Sequence, residues 1–321
     1  MVRQLDFSGQ VAVVTGAGRG IGRAYALLLA SRGARVVVND LGVEVDGTGA
    51  SGGVAAGVVD EIRRHGGEAI ANGDSVASEQ GAANLIESAL SAFGKVDVLV
   101  HNAGRNLGTV DEMLDVHVRA GVWLSDLVWP GMVDRQFGRI VLTTSASGLY
   151  GDGTGPGPNP KLPYATAKAG VVGLTKALAV RGAPAGIGVN AVSPTADTRL
   201  VGLNRGIEST RAGAPSSSAT PDWVAENAPA RLVAAGALWL MHEHCTVSGR
   251  LFAVGAGRVA EIFVGVTRGH IAVDGELTPE DVLAHFEAVE SQSDYRAPVD
   301  MADYAQWLRS LVPAKATQTV S

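Results

Sequence analysis

Tyr164 and Lys168 stand four residues apart in the run Tyr-Ala-Thr-Ala-Lys, which puts a phenol and an ammonium on one face of a helix. A free tyrosine gives up its proton only near pH ~10, too high for useful exchange near neutrality. A neighbouring ammonium favours the phenolate, so the pair can take a proton from an alcohol or return it to a ketone. Ser145 follows an apolar run and could hold the reacting oxygen beside Tyr164. Each residue alone has a plainer reading, since tyrosines start helices, lysines face water and serines end strands.

A second group could hold a nucleotide. The apolar run 11–15 passes into Thr15-Gly16-Ala17-Gly18-Arg19-Gly20-Ile21-Gly22, and a helical pattern begins there. Glycines at such a place allow a tight turn, close approach to a pyrophosphate and close packing of helix on strand. Gly16, Arg19, Gly20, Ile21 and Gly22 are therefore candidate contacts, with the helix N-terminus supplying N–H groups and a positive dipole end. Alone the turn is weak evidence in a chain with 42 glycines; the strand–turn–helix context strengthens it. Asp40, closing the second apolar run, could accept hydrogen bonds from a ribose and repel a 2′-phosphate, which favours NAD over NADP. Arg19 pulls the other way, but Asp40 stands where that phosphate must go. Without a ligand, Asp40 reads as a solvated turn residue after Asn39.

The elements that must position these groups are visible as alternation. Runs 11–15, 35–38, 96–100 and 139–143 are apolar on both faces, as strands of a doubly covered parallel sheet are. Helical patterns fall at 21–31, 55–65, 82–93 and 164–181, and further strands are expected at 187–192 and, last, at 250–254. This predicts an α/β fold of Rossmann type: a doubly wound parallel sheet, helices on both faces and a C-terminal helical extension. Residues 1–257 form the expected dinucleotide-binding domain with the active site, and 258–321 the extension, with helices at 278–290 and 301–311. Segments 151–163 and 208–221 read as loops, the first from four Gly and four Pro in thirteen residues.

Composition narrows the classes. The chain has 321 residues with 46% hydrophobic and 18% charged, enough to bury a full core. Its net charge of −6 makes nucleic acid and anionic membrane unnatural partners. One cysteine, Cys245, excludes an intrachain disulfide. His242 and His244 beside it are two apart and would point in different directions, so no metal is expected. Trp123 and Trp129 read as core or interface. The first residues lack the apolar stretch of a signal peptide, so a soluble, cytoplasmic chain is expected.

Taken in order, the motifs resemble the short-chain dehydrogenase/reductase family, whose pattern is TGxxxGxG, NNAG, Ser and YxxxK. They stand here as residues 15–22, His101-Asn102-Ala103-Gly104, Ser145, and Tyr164 with Lys168. More narrowly, residues 22–42, 115–121, 144–151 and 251–257 resemble its (3R)-hydroxyacyl-CoA dehydrogenase branch. The resemblance implies Tyr164 as general acid/base, Ser145 as the orienting hydroxyl, and Lys168 as the group that holds the nicotinamide ribose and lowers the Tyr164 pKa. His117 falls where most of the family has an Asn that anchors a proton-relay water; an imidazole can hold water, with a charge that changes with pH. Its other reading is a helix histidine packed near a dimer face. Asp74 is implied to contact the adenine amino group and Asn102 the adenosine ribose. Three departures stand out: residues 105–116 are fewer than in relatives, Pro194-Thr195 replaces Pro-Gly, with Thr198 as compensation, and 151–163 is longer.

The implied activity is NAD-dependent interconversion of a secondary alcohol and a ketone, with an acyl-CoA thioester as small-molecule substrate. A steroid or other lipophilic alcohol is the alternative within the family, and a nucleotide-binding protein without turnover the alternative outside it. Only the dehydrogenation step is expected. The resemblance also implies a homodimer or homotetramer through 116–131 and 164–181.

Overall fold

The computed structural model describes residues 4–43, 53–151, 161–198, 219–272 and 277–311. They divide into two compact units, Met1–Glu261 and Ile262–Ser321. The first is built on an eight-stranded sheet. Its strands are β1 (Val11–Thr15), β2 (Arg35–Asn39), β3 (Ala69–Asn72), β4 (Val98–His101), β5 (Gly138–Thr143), β6 (Ile187–Thr195), β7 (Leu251–Gly255) and β8 (Arg258–Ile262). Their spatial order is 3-2-1-4-5-6-7-8, and every pairing from β3 to β7 is parallel.

Both faces of the sheet are covered, which is why its strands read as unbroken apolar runs. Along β1, Ala12 and Val14 face one core and Val11 and Val13 the other, all fully buried. The first core is closed by α1 (Gly20–Ser31), α2 (Gly53–Arg64) and α9 (Ala230–Ala237), through Tyr25, Leu29, Ile62 and Val233. The second is closed by α3 (Glu79–Phe93), α5 (Ala120–Arg135) and α7 (Leu162–Gly182), through Leu85, Leu124, Trp129 and Val171. Each such side chain contributes about 1.5–3 kcal/mol on burial. The remaining helices are α4 (Val110–Leu114), α6 (Ser147–Tyr150) and α8 (Ala219–Asn227). Among the described residues no helix is long and apolar enough to cross a membrane.

Several expectations are corrected. β3 is not among the expected strands: it is only four residues long, and its third residue, Ala71, is exposed. The strand at 251–255 is not the last, because Ala256 and Gly257, both at positive φ, turn the chain back into β8 beside β7. Leu162 and Pro163 belong to α7, since Pro in the first turn lacks only an N–H that the helix would leave unpaired. The end of the 208–221 segment is the start of α8; 208–218 and 152–160 lie outside the described residues. Instead of one helix over 116–131, the chain runs helically from Val110 to Arg135, with a π-helical turn at Asp115–Arg119.

In the second unit, β9 (Val266–Thr267) pairs antiparallel with β10 (Tyr295–Arg296), and Phe263 stacks on Tyr295 with ring centroids 5.6 Å apart. The helix expected at 278–290 is two, α10 (Pro279–Ala284) and α11 (Phe286–Glu290), broken at His285. α12 (Met301–Leu311) begins and ends as the pattern predicts.

Candidate active site

A cavity of about 700 Å³ opens at the carboxyl ends of β1, β2, β4, β5 and β6. The sheet order reverses there, between β1 and β4, and such a crevice is where open α/β sheets take ligands. Gly16, Arg19, Gly20, Ile21, Asp40, Asp74, Asn102, His117, Ser145, Tyr164, Lys168, Pro194 and Thr198 all line it. Gly22 does not. It lies beneath the turn, where a Cβ would fall 2.1 Å from the Gly16 carbonyl oxygen.

The β1–β2 side of the cavity is made of backbone. Gly16 is pressed against β4, with space for no Cβ beside the Ala103 Cα at 2.8 Å. The α1 N-terminus faces the cavity and no side chain caps it, whereas Ser78 caps α3 and Thr109 caps α4. Its unclaimed N–H groups and positive end suit a phosphate. Asp40 spans the turn: Oδ2 accepts from Gly18 N at 2.9 Å and Oδ1 from Gly42 N at 2.7 Å. Arg19 donates to the Val43 carbonyl. Asp74 is fixed by Asn72 and Asn84, which donate to its carboxylate at 2.7 and 3.0 Å. Asn102 spends its amide on the turn, donating to Thr15 O at 3.0 Å and Gly16 O at 3.2 Å, so its work is to hold that turn on β4. Thr198 stands beside Gly20, its Cγ2 3.5 Å from the place a Cβ would take, at the phosphate end of the cavity. These groups fit a dinucleotide.

The opposite side is made of buried bases tied to carbonyls. Lys168, 4% exposed, donates from Nζ to Thr143 O at 2.6 Å, and its own carbonyl accepts from Thr144 Oγ1 at 2.8 Å. These two bonds fasten the end of β5, and with it Ser145, to the helix that carries Tyr164. Burial draws the Lys168 ammonium down to about 7, and its Nζ lies 5.7 Å from the centre of the Tyr164 ring. Ser145 Oγ accepts from Ser147 N at 3.2 Å, and its own proton has no partner among the described residues. Gly148 packs α6 onto the α7 backbone, with Ala169 N 2.5 Å from where its Cβ would lie.

His117 sits in the π-helical turn and meets the Tyr164 ring edge-on, centroids 5.5 Å apart. Its Nε2 lies 2.8 Å from the Arg105 carbonyl, so Nε2 carries the proton and Nδ1 is a bare acceptor, buried and unpartnered. Burial, first, and the Lys168 charge hold its pKa well below the usual imidazole value. The ring is therefore neutral near neutrality, and the change of charge with pH expected of an imidazole is moved into acid. Gly104 is the floor beneath it, since a Cβ there would lie 2.3 Å from His117 Cε1.

Some lining residues carry no signal in the sequence. Lys161, 4% exposed at the start of α7, is hidden in a Gly/Pro-rich segment. Arg105 and Glu112 pair at 3.4 Å at the cavity edge, with Glu112 closing the capping box of Thr109. His242 and His244 lie outside the cavity; His242 Nε2 bonds Asp6 O and its Nδ1 accepts from His244 N.

The short chain dehydrogenase family model matches residues 10–204, which takes in both sides of the cavity. The chain belongs to this family and is an oxidoreductase of the nicotinamide-dependent kind. It is 37% identical over 309 residues to the peroxisomal multifunctional enzyme type 2 of Mus musculus, covering 93% of this chain and 39% of that one. To a putative short-chain type dehydrogenase/reductase of Mycobacterium tuberculosis it is 40% identical over 262 residues, 79% of this chain and 84% of the other. The solved structure of full-length peroxisomal multifunctional enzyme type 2 from Drosophila melanogaster superposes with a TM-score of 0.72 at 29% identity, covering 96% of this chain and 50% of that one. The chain thus spans less than half of the mouse enzyme's length and half of the Drosophila chain.

Proposed function

We propose that the protein is an NAD-dependent dehydrogenase that interconverts a (3R)-hydroxyacyl-CoA and its 3-oxoacyl-CoA. One observation carries the chemistry: Ser145, Tyr164 and Lys168 line the same cavity as an uncapped helix N-terminus. The substrate class follows from the likeness to the multifunctional enzymes together with the segments of the (3R)-hydroxyacyl-CoA branch. Preference for NAD follows from Asp40, whose carboxylate lies across the Gly-rich turn.

A bound nicotinamide supplies the hydride acceptor. Ser145 donates its free proton to the substrate oxygen and keeps it beside Tyr164. The Tyr164 oxygen takes the hydroxyl proton on oxidation and returns it on reduction. Lys168 favours the phenolate by its charge, and the carbonyls at Thr143 and Lys168 keep strand and helix in register for this. His117 offers Nδ1 as a fixed acceptor for a water next to the Tyr164 ring. Two copies would associate through the outer faces of α5 and α7, where Leu127 and Val180 stay exposed.

The test is NADH formation with a panel of (3R)- and (3S)-3-hydroxyacyl-CoA esters, free secondary alcohols and hydroxysteroids. Turnover confined to the (3R)-thioesters is the expected result. Preference for a hydroxysteroid, or for NADP over NAD, would overturn the substrate or the cofactor assignment.

A further inference from the structure

His101 ends β4, one residue before Asn102 of the cavity lining, and is 3% exposed. Its hydrogen bonds determine its tautomer. Thr15 Oγ1 accepts from Asn102 N at 3.1 Å and from Ala103 N at 3.0 Å, which fills both of its lone pairs. The one proton that Thr15 owns is left for His101 Nδ1, at 3.1 Å. His101 Nδ1 is then an acceptor, and the proton of the neutral ring sits on Nε2. That proton points to the Val116 carbonyl, 3.1 Å away.

The Val116 carbonyl lacks its regular helical partner for a specific reason. In a regular α-helix it would accept from Ala120 N. In the π-helical turn Asp115–Arg119, Ala120 N bonds Asp115 O instead. His101 fills the acceptor that the wider turn exposes, and the wider turn rotates the next residue, His117, onto Gly104 and the Tyr164 ring. Burial pushes the His101 pKa down to about 4, so the ring keeps this one-donor, one-acceptor form at neutral pH.

We propose that His101 is a positioning residue: by linking Thr15 at the cofactor turn to the Val116 carbonyl, it holds the π-helical turn that sets His117 against Tyr164. An asparagine at 101 has a shorter side chain that could serve Thr15 or Val116 but not both. The proposal rests on the reading of the cavity as a dehydrogenase site, and its test has one arm that does not.

The activity arm is a double-mutant cycle of His101→Asn and His117→Asn, with kcat, KM and NAD affinity measured for each. His101→Asn should lower kcat ~10-fold or more and leave NAD affinity within ~2-fold, because misplaced groups cost rate before binding. In the His117→Asn background the same change should cost less than ~2-fold, since the residue being positioned is gone. Equal losses in both backgrounds, or no loss in either, would overturn the proposal. The second arm is nitrogen NMR of histidine-labelled protein. Wild type should show His101 and His117 as fixed Nε2–H tautomers, and His101→Asn should release His117 from that single state. An unchanged His117 signal would overturn the proposal whatever the substrate. If His101→Asn does not fold, His101→Leu, which fills similar space and makes neither link, takes its place with the same expected outcomes.

Discussion

The two sides of the cavity are built on opposite plans. Around α1 the chain presents backbone donors to a ligand: an uncapped helix N-terminus, a turn with no room for side chains, and Asp40 and Asn102 bracing that turn. Around α7 side chains donate to backbone carbonyls: Lys168 to Thr143, His117 to Arg105, and His101 to Val116. The first plan leaves orphan N–H groups for a phosphate to satisfy. The second spends protein donors internally and leaves a few chosen atoms bare, the Ser145 proton and His117 Nδ1 among them. Binding and chemistry should therefore be separable by mutation, and the ways to break that separation can be ranked.

Lys168→Met should have the largest effect. It removes the charge beside Tyr164 and the bond to Thr143, and we expect a loss of ~10²–10⁴-fold in kcat, the range of general acid/base contributions. Nucleotide affinity should fall far less, and an equal fall in both would dissolve the distinction between the two sides.

Acid should unfold the chemical side first. His101 has a folded pKa of about 4 against an ordinary value of 6.5. Between these pH values the unfolded chain binds more protons, so stability rises with pH through the window and is lost as pH falls from 6.5 to 4. The gap is worth on the order of 3 kcal/mol. His117 is shifted the same way. Lys168, drawn down to about 7, adds a further rise of the same sign as pH climbs from there toward the ordinary lysine value. Thermal midpoints of wild type and His101→Asn across pH 4 to 7 check this; parallel curves would contradict it.

Gly104→Ala should come next. The new Cβ would stand 2.3 Å from His117 Cε1, so the ring or the loop must move, at about 1–3 kcal/mol of stability. The rate should drop as His117 leaves Tyr164, with NAD affinity kept, and calorimetry beside steady-state kinetics reads both. Asp40→Ala should have the smallest effect and on the other side only. The preference for NAD over NADP should narrow by ~10-fold or reverse, one lost repulsion being worth about 1.4 kcal/mol, with kcat for NAD little changed. A wild type that prefers NADP would assign the choice to Arg19.

The same contrast explains what the sequence could disclose. Backbone sites require glycine where a Cβ cannot go, so Gly16 and Gly22 mark the turn once the apolar run before it and the helical pattern after it are recognised. Tyr164 and Lys168 announce themselves by helical spacing. The bases tied to carbonyls do not, because any carbonyl looks like any other until the chain is folded. His101 reads only as a variant of an asparagine motif, and nothing between 110 and 120 signals that Ala120 bonds Asp115 rather than Val116. His117 was visible as a candidate, but its neutral state comes from burial that no spacing reports. β3 and β8 escaped notice for a plainer reason, being short edge strands with exposed residues among their side chains.

The central claim is that Tyr164 does the proton chemistry on a cofactor bound independently of it. Tyr164→Phe, assayed for NADH formation and NAD affinity in one preparation, tests this most directly. The account predicts a rate lower by at least ~100-fold with NAD affinity unchanged. Normal turnover by Tyr164→Phe would contradict it.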